Sequence, residues 1–238
     1  MRRPPALVAL ALVAAVGAQF ALARVRPDGG PAFAEGAFAA FGGLRSVVAE
    51  IVWFRMDRLQ DEGRYVELAQ LARALTLAEP HTPEVWSFAA WNLAYNVSVM
   101  MPTDADRWRW VWSALTLLRD DALALNPRSA ELHRELAWLF ELKLGVDIDT
   151  AAPSYRAEWR RIFEDAARSG RWDELRMDPE TLDALVDRFG MKDRADPLVS
   201  AVYWALAGMP YANARERAEL NEVVRQSVAV YRRRHAEE

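Results

Sequence analysis

A stretch of sequence that repeats itself limits the chain's fold more than any other feature. Pro80-His81-Thr82-Pro83-Glu84-Val85 precedes Ala90-Trp91, and Pro127-Arg128-Ser129-Ala130-Glu131-Leu132 precedes Ala137-Trp138. The prolines are 127 − 80 = 47 residues apart, and the tryptophans are 138 − 91 = 47 apart. A proline stop, a hydroxyl cap, an acidic first turn and an Ala-Trp pair recur in one register. Self-similarity at such a period is the mark of stacked supersecondary units, each unable to bury its apolar face alone.

The units are helical. From Leu44 onward apolar residues recur three and four positions apart, and no stretch alternates as a strand does. Thr82-Pro83-Glu84, Asp178-Pro179-Glu180 and Asp196-Pro197 each place a capping side chain before a proline suited to the first turn. Ser129 and Asn213 are further caps, and Asn213 has Glu216 three residues on for a capping box. Helices are predicted near 44–62, 65–78, 83–97, 104–124, 130–144, 154–168, 179–189, 196–208 and 213–235. In the fourth, Trp108, Trp112 and Leu115 form one apolar face and Trp110, Ala114 and Leu117 another, as in a helix held between neighbours.

Before the helices stands an apolar run, Ala6 to Ala23, broken only by Gln19 and preceded by Arg2 and Arg3. Its eighteen residues lie between a signal-peptide core and a full span. Ala21-Leu22-Ala23 fits a cleavage site, while the run's length and Arg24 and Arg26 behind it favour a retained anchor. The leading arginines would stay cytoplasmic, placing the main domain outside the membrane, periplasmic in a bacterium. The reading is a signal anchor at 1–27, a Gly/Pro-rich linker at 28–43, repeats at 44–168 and a helical extension at 169–238.

At Gly63-Arg64-Tyr65, with Pro80 and Pro127 closing successive units and Trp86, Ala90 and Ala137 in place, the sequence resembles tetratricopeptide (TPR) repeats. The period is longer than the family's, with extra residues between Trp91 and Arg107, and Leu68 stands where the family has a small residue. The resemblance implies an all-α fold: an N-terminal transmembrane or signal-anchor helix followed by a TPR-like solenoid of stacked hairpins. It further implies a concave, partner-binding face carrying Glu50, Trp53, Asp57 and Gln60 in the first unit. The second contributes Glu84, Trp91 and Tyr95, and the third Glu131, Arg134, Trp138 and Glu141; for Trp91 and Trp138 the competing and stronger reading is as core residues of an irregular superhelix. The chain is also similar to bacterial single-pass membrane proteins with TPR-like domains, a likeness that carries no activity with it.

Composition narrows the function classes. The chain has no cysteine, which removes disulfides, thiolate catalysis and cysteine-ligated zinc. A net charge of −4 argues against a general nucleic-acid binder. No phosphate loop, metalloprotease helix or nucleophile elbow is present. No catalytic residue, cofactor, metal or small-molecule ligand is expected. The expected role is a scaffold or adaptor for a protein partner, with an obligate subunit of a membrane complex as the alternative. An envelope-modifying enzyme using Asp147 and Asp149 is the third reading. His133 reads as a packing residue. Asn92 and Asn96, four apart on an apolar helix, share a face where buried amides must find hydrogen bonds.

Overall fold

The computed structural model describes residues 55, 58, 59 and 61–236. The apolar run at 6–23, the linker and the first predicted helix up to residue 54 lie outside the described residues. The described residues are helical, with no strand among them, so the chain is all-α. No helix among them is long and apolar enough to cross a membrane. The chain divides into two compact units between Ala78 and Glu79.

In the first unit, Gly63 takes φ +68° and the Arg64 amide donates to the Leu59 carbonyl at 2.8 Å. The Gly63-Arg64-Tyr65 turn needs this left-handed glycine, which a residue with a Cβ adopts only at a cost. Helix α1, Tyr65–Ala78, follows and buries Leu68, Ala72 and Leu75.

In the second unit α2 spans 83–100, α3 spans 104–125 and α4 spans 130–145. They are followed by α5 (Ala152–Ser169), the short α6 (Trp172–Leu175), α7 (Pro179–Phe189), α8 (Pro197–Gly208) and α9 (Ala214–Arg234). Sequence periodicity located all of these except α6. Their starts are capped largely as the residues dictate. Ser129 accepts from the Leu132 amide, Asp178 from Thr181 and Asp196 from Leu198, and Asn213 and Glu216 form a complete capping box. Thr82 is the exception: its hydroxyl turns back to Glu79 at 3.1 Å and leaves the α2 amides uncapped by a side chain. Thr103 caps α3 by accepting from the Asp106 amide.

Helix α3 packs on α2, and α4 packs on both. Helix α5 lies against α3 and the second half of α4. Trp159 of α5 is fully buried, with Phe140 of α4 edge-on at 4.7 Å; truncating such a ring typically costs about 3–5 kcal/mol. The C-terminal extension is not peripheral. Helix α8 is buried along nearly its whole length against α4, and α9 closes over α8 and α4. His133 is a core residue, as its place in the repeat predicts: it is 7% exposed and its Nδ1 meets the Ser129 carbonyl at 2.8 Å. The first turn of α5 is tied to the start of α3 by a 2.6 Å bond from Ser154 to Asp104.

One backbone feature recurs that periodicity does not reveal. Helices α2, α3 and α4 each begin as regular α-helix and pass into π-helix, at Asn92–Val97, Leu117–Ala122 and Leu139–Gly145. A π turn takes in an extra residue and rotates every later side chain around the axis, and such turns gather at functional places in proteins.

Candidate functional site

The expected concave-face residues divide into three groups. Glu50, Trp53, Asp57 and Gln60 lie outside the positions whose side chains are described. Glu84, Trp91, Tyr95, Glu131, Arg134 and Trp138 come together along α2 and α4, where their environments are graded from exposed to half-buried. Glu141 is 2% exposed and faces inward.

Along that ridge α2 and α4 are stitched by side chains. The Ser87 hydroxyl donates to Glu131 Oε1 at 3.0 Å. One turn on, the Trp91 indole N–H donates to Glu135 Oε2 at 3.0 Å. The Trp91 ring stacks on Tyr95 with centroids 4.3 Å apart, yet the residue remains 42% exposed. Arg134 continues the line: it bonds Glu135 at 3.1 Å, pairs with Glu219 of α9, and sits 4.7 Å over the Trp138 ring. The hydrogen bond and the stacked neighbour fix the orientation of an aromatic ring that is still open to solvent.

Among the described residues Glu131 forms no ion pair of its own. Burial pushes its pKa up and nearby Glu84 and Glu135 add to the rise, while the Ser87 bond and the Arg134 charge oppose it. Beside it is a hollow of about 430 Å³, walled by Pro83, Pro127, Arg128, Tyr211 and Glu216 among others. A second, larger hollow of about 760 Å³ lies elsewhere, between Trp172, Asp178 and Tyr203.

Beneath the ridge the π segments feed a buried polar cluster. Lys143 is 2% exposed, and its Nζ donates to Asp149 Oδ2 at 2.6 Å. The ammonium also stands 4.9 Å from the Tyr95 ring and 5.8 Å from that of Tyr155. The Tyr155 hydroxyl donates to the same carboxylate oxygen at 3.2 Å, and the Ala151 amide to the other at 2.9 Å. Arg107, 3.8 Å from Asp149, donates through Nε to the Met101 carbonyl at 3.1 Å. Burial opposes the Asp149 charge, but the Lys143 bond and the Ala151 amide outweigh it and lower its pKa. Burial lowers Lys143 against the pull of Asp149. The Tyr95 hydroxyl is buried with no hydrogen-bond partner, and burial with nearby Glu135, Glu141 and Asp149 raises its pKa. Asn92 and Asn96 pair at 3.1 Å, which answers the demand that two amides on an apolar helix create.

Asp147 and Asp149 do not converge. Asp147 points outward and pairs with Arg156 at 2.7 Å, while Asp149 turns inward to Lys143. Glu141 packs near Ser227 and Glu222 of α9; burial raises its pKa to about 7, with Ser227 opposing and Glu222 adding to the rise. Asp193, Asp196 and His235 have ligand atoms within 4.8 Å of one another. Both carboxylates already hold guanidinium groups, Asp193 that of Arg160 and Asp196 that of Arg234, each at 3.0 Å.

Sequence reasoning overlooked Lys143, Arg107 and Tyr155. The signal was present: Lys143 and Glu141 interrupt an apolar helix just as Asn92 and Asn96 do. No protein-family model, curated protein or solved structure matches the chain.

Proposed function

We propose that this chain is a membrane-anchored, TPR-like helical scaffold that binds a protein partner on the extracytoplasmic side. The reading rests above all on the ridge of α2 and α4. There Trp91 is fixed by Glu135 and Tyr95 yet left 42% exposed. The polar cluster below it consists of groups committed to each other, with Lys143 and Asp149 neutralising one another, which suits a rigid support better than a reaction centre. The apolar run at 6–23 supplies the anchor, and the 47-residue register with the Gly63 turn supports the stacked-hairpin reading.

Photo-crosslinking tests it. A benzophenone amino acid at Trp91 or Glu84 in the full chain in cells should give a discrete cross-linked species. The same probe at Glu158, a half-exposed residue of α5, should not. Equal labelling at all three positions would remove the ridge as the binding face. The subunit alternative draws on exposed apolar residues: Val99, Met100 and Ile148 are 49%, 50% and 75% exposed. A chain lacking residues 1–43 separates the two readings, since a scaffold domain stays soluble alone and an obligate subunit aggregates.

A further inference from the structure

The ridge and the adjoining hollow differ from their surroundings in charge balance. Glu84 and Glu135 each lie close enough to Glu131 to repel its charge, and Arg134, which attracts it, is already bonded to Glu135 and Glu219. Glu131 receives only the Ser87 hydroxyl, on Oε1, which leaves its second oxygen open to a donor. Glu131 also forms part of the wall of the 430 Å³ hollow, where Glu216 is a further acid, Tyr211 is 45% exposed, and Arg128 is the one cation. One turn from the Ser87 crossing stands Trp91, stacked by Tyr95 on one side and otherwise open.

A half-buried carboxylate with no direct ion pair among the described residues, its nearby Arg134 already bonded to Glu135 and Glu219, stands beside an open indole and complements a guanidinium or ammonium. The carboxylate accepts its N–H groups, and the ring attracts its charge. We propose that the hollow at Glu131 and the open face of Trp91 together receive arginine or lysine side chains from a basic segment of the partner protein. This rests on the reading of the ridge as the partner-binding face, and adds the partner's chemistry. Glu131 takes the cation entering the hollow, and Trp91 takes the next basic residue along the segment. The Glu84 charge draws the segment in from solution, so association weakens with salt.

The test is fluorescence anisotropy with the detergent-solubilised full chain at 0.15 M salt. One fluorescein-labelled peptide alternates arginine and glycine, and its counterpart carries glutamate in place of arginine. The arginine peptide should bind and the glutamate peptide should not. Glu131→Gln should weaken binding about 10-fold and Trp91→Ala about 5-fold, while Glu131→Asp retains most of it and Glu158→Gln changes nothing. Helicity by circular dichroism shows whether each variant is folded. Because the Glu131 pKa is raised, binding should also fall as pH drops through it. Equal affinity across wild type, Glu131→Gln and Trp91→Ala, or preference for the glutamate peptide, would overturn the proposal. If the arginine peptide fails while the Trp91 cross-link persists, the basic chemistry is wrong and the binding face stands. Loss of both overturns the two together.

Discussion

Trp91 and Glu135 are joined at 3.0 Å across 44 residues of sequence, and Ser87 meets Glu131 at the same offset and distance. The sequence match between units runs at 47. The difference, 47 − 44 = 3, is close to one helical turn, so Trp138 sits about a turn beyond the residue opposite Trp91. Equivalent residues are staggered along the ridge, and Trp91 takes its bond from a glutamate instead of facing its counterpart.

That crossing is a part-buried polar contact and should be felt in stability. Glu135 is 5% exposed and serves both Trp91 and Arg134. Glu135→Leu leaves a part-buried indole N–H and a guanidinium short of an acceptor. Urea denaturation should show a loss of about 1–3 kcal/mol. Glu84→Leu, at an exposed position, should stay within about 0.5 kcal/mol.

The Lys143–Asp149 pair is a stronger case. Lys143→Met leaves the Asp149 carboxylate with Arg107 at 3.8 Å as its nearest remaining cation, and should cost about 3–5 kcal/mol. Replacing both, with Lys143→Met and Asp149→Leu, removes the unpaired charge and should recover much of that loss. A double-mutant cycle on thermal or urea unfolding checks this. A double variant no better than the single would show that Asp149 acts mainly through Ala151 and Tyr155.

Glu141 predicts a pH dependence with a definite sign. Its folded pKa is raised from 4.5 to about 7 because burial disfavours the charge. The folded state therefore holds the proton more tightly than the unfolded chain, and stability falls as pH rises from about 4.5 through about 7. The full shift corresponds to about 3 kcal/mol, reduced by water screening to about 1–2. Glu141→Gln should remove that loss, stabilising the protein at pH 8 and changing little at pH 4. Unfolding curves at the two values decide it; equal effects at both would place the Glu141 side chain in water.

These groups show how much of the fold the residues announced. Ser129, Asp178, Asp196 and Asn213 with Glu216 marked four helix starts, because a cap is a local event between neighbours in sequence. The positions of Glu141 and Lys143 were not legible in the same way. Regular 3.6-residue periodicity carries Glu141 onto the same side as Arg134 and Trp138. The π segment from Leu139 rotates it toward Ser227, and turns Lys143 toward Asp149 in the following loop. Nothing in a hydrophobic pattern reports an extra residue in a turn. The ridge itself was legible as a set of residue types, whereas the 44-residue crossing that orders it depends on how two helices pack.

The C-terminal helices, unassigned by the repeat, supply a last prediction. Gly208 ends α8 where it passes α4, and a Cβ placed there would lie 2.7 Å from the His133 Cβ. That atom is fixed to the α4 backbone and cannot swing aside, unlike the tip of a long side chain. Alanine ordinarily stabilises a helix by about 1 kcal/mol over glycine, but here overpacking should win, with a net loss of about 1–3 kcal/mol. Gly170, by contrast, has φ +69° and open space around it, so Gly170→Ala should cost only the left-handed backbone term, about 1 kcal/mol. Urea unfolding of the two variants separates steric from conformational cost. A stabilised Gly208→Ala would mean that α8 stands further from α4 than the His133 contact requires.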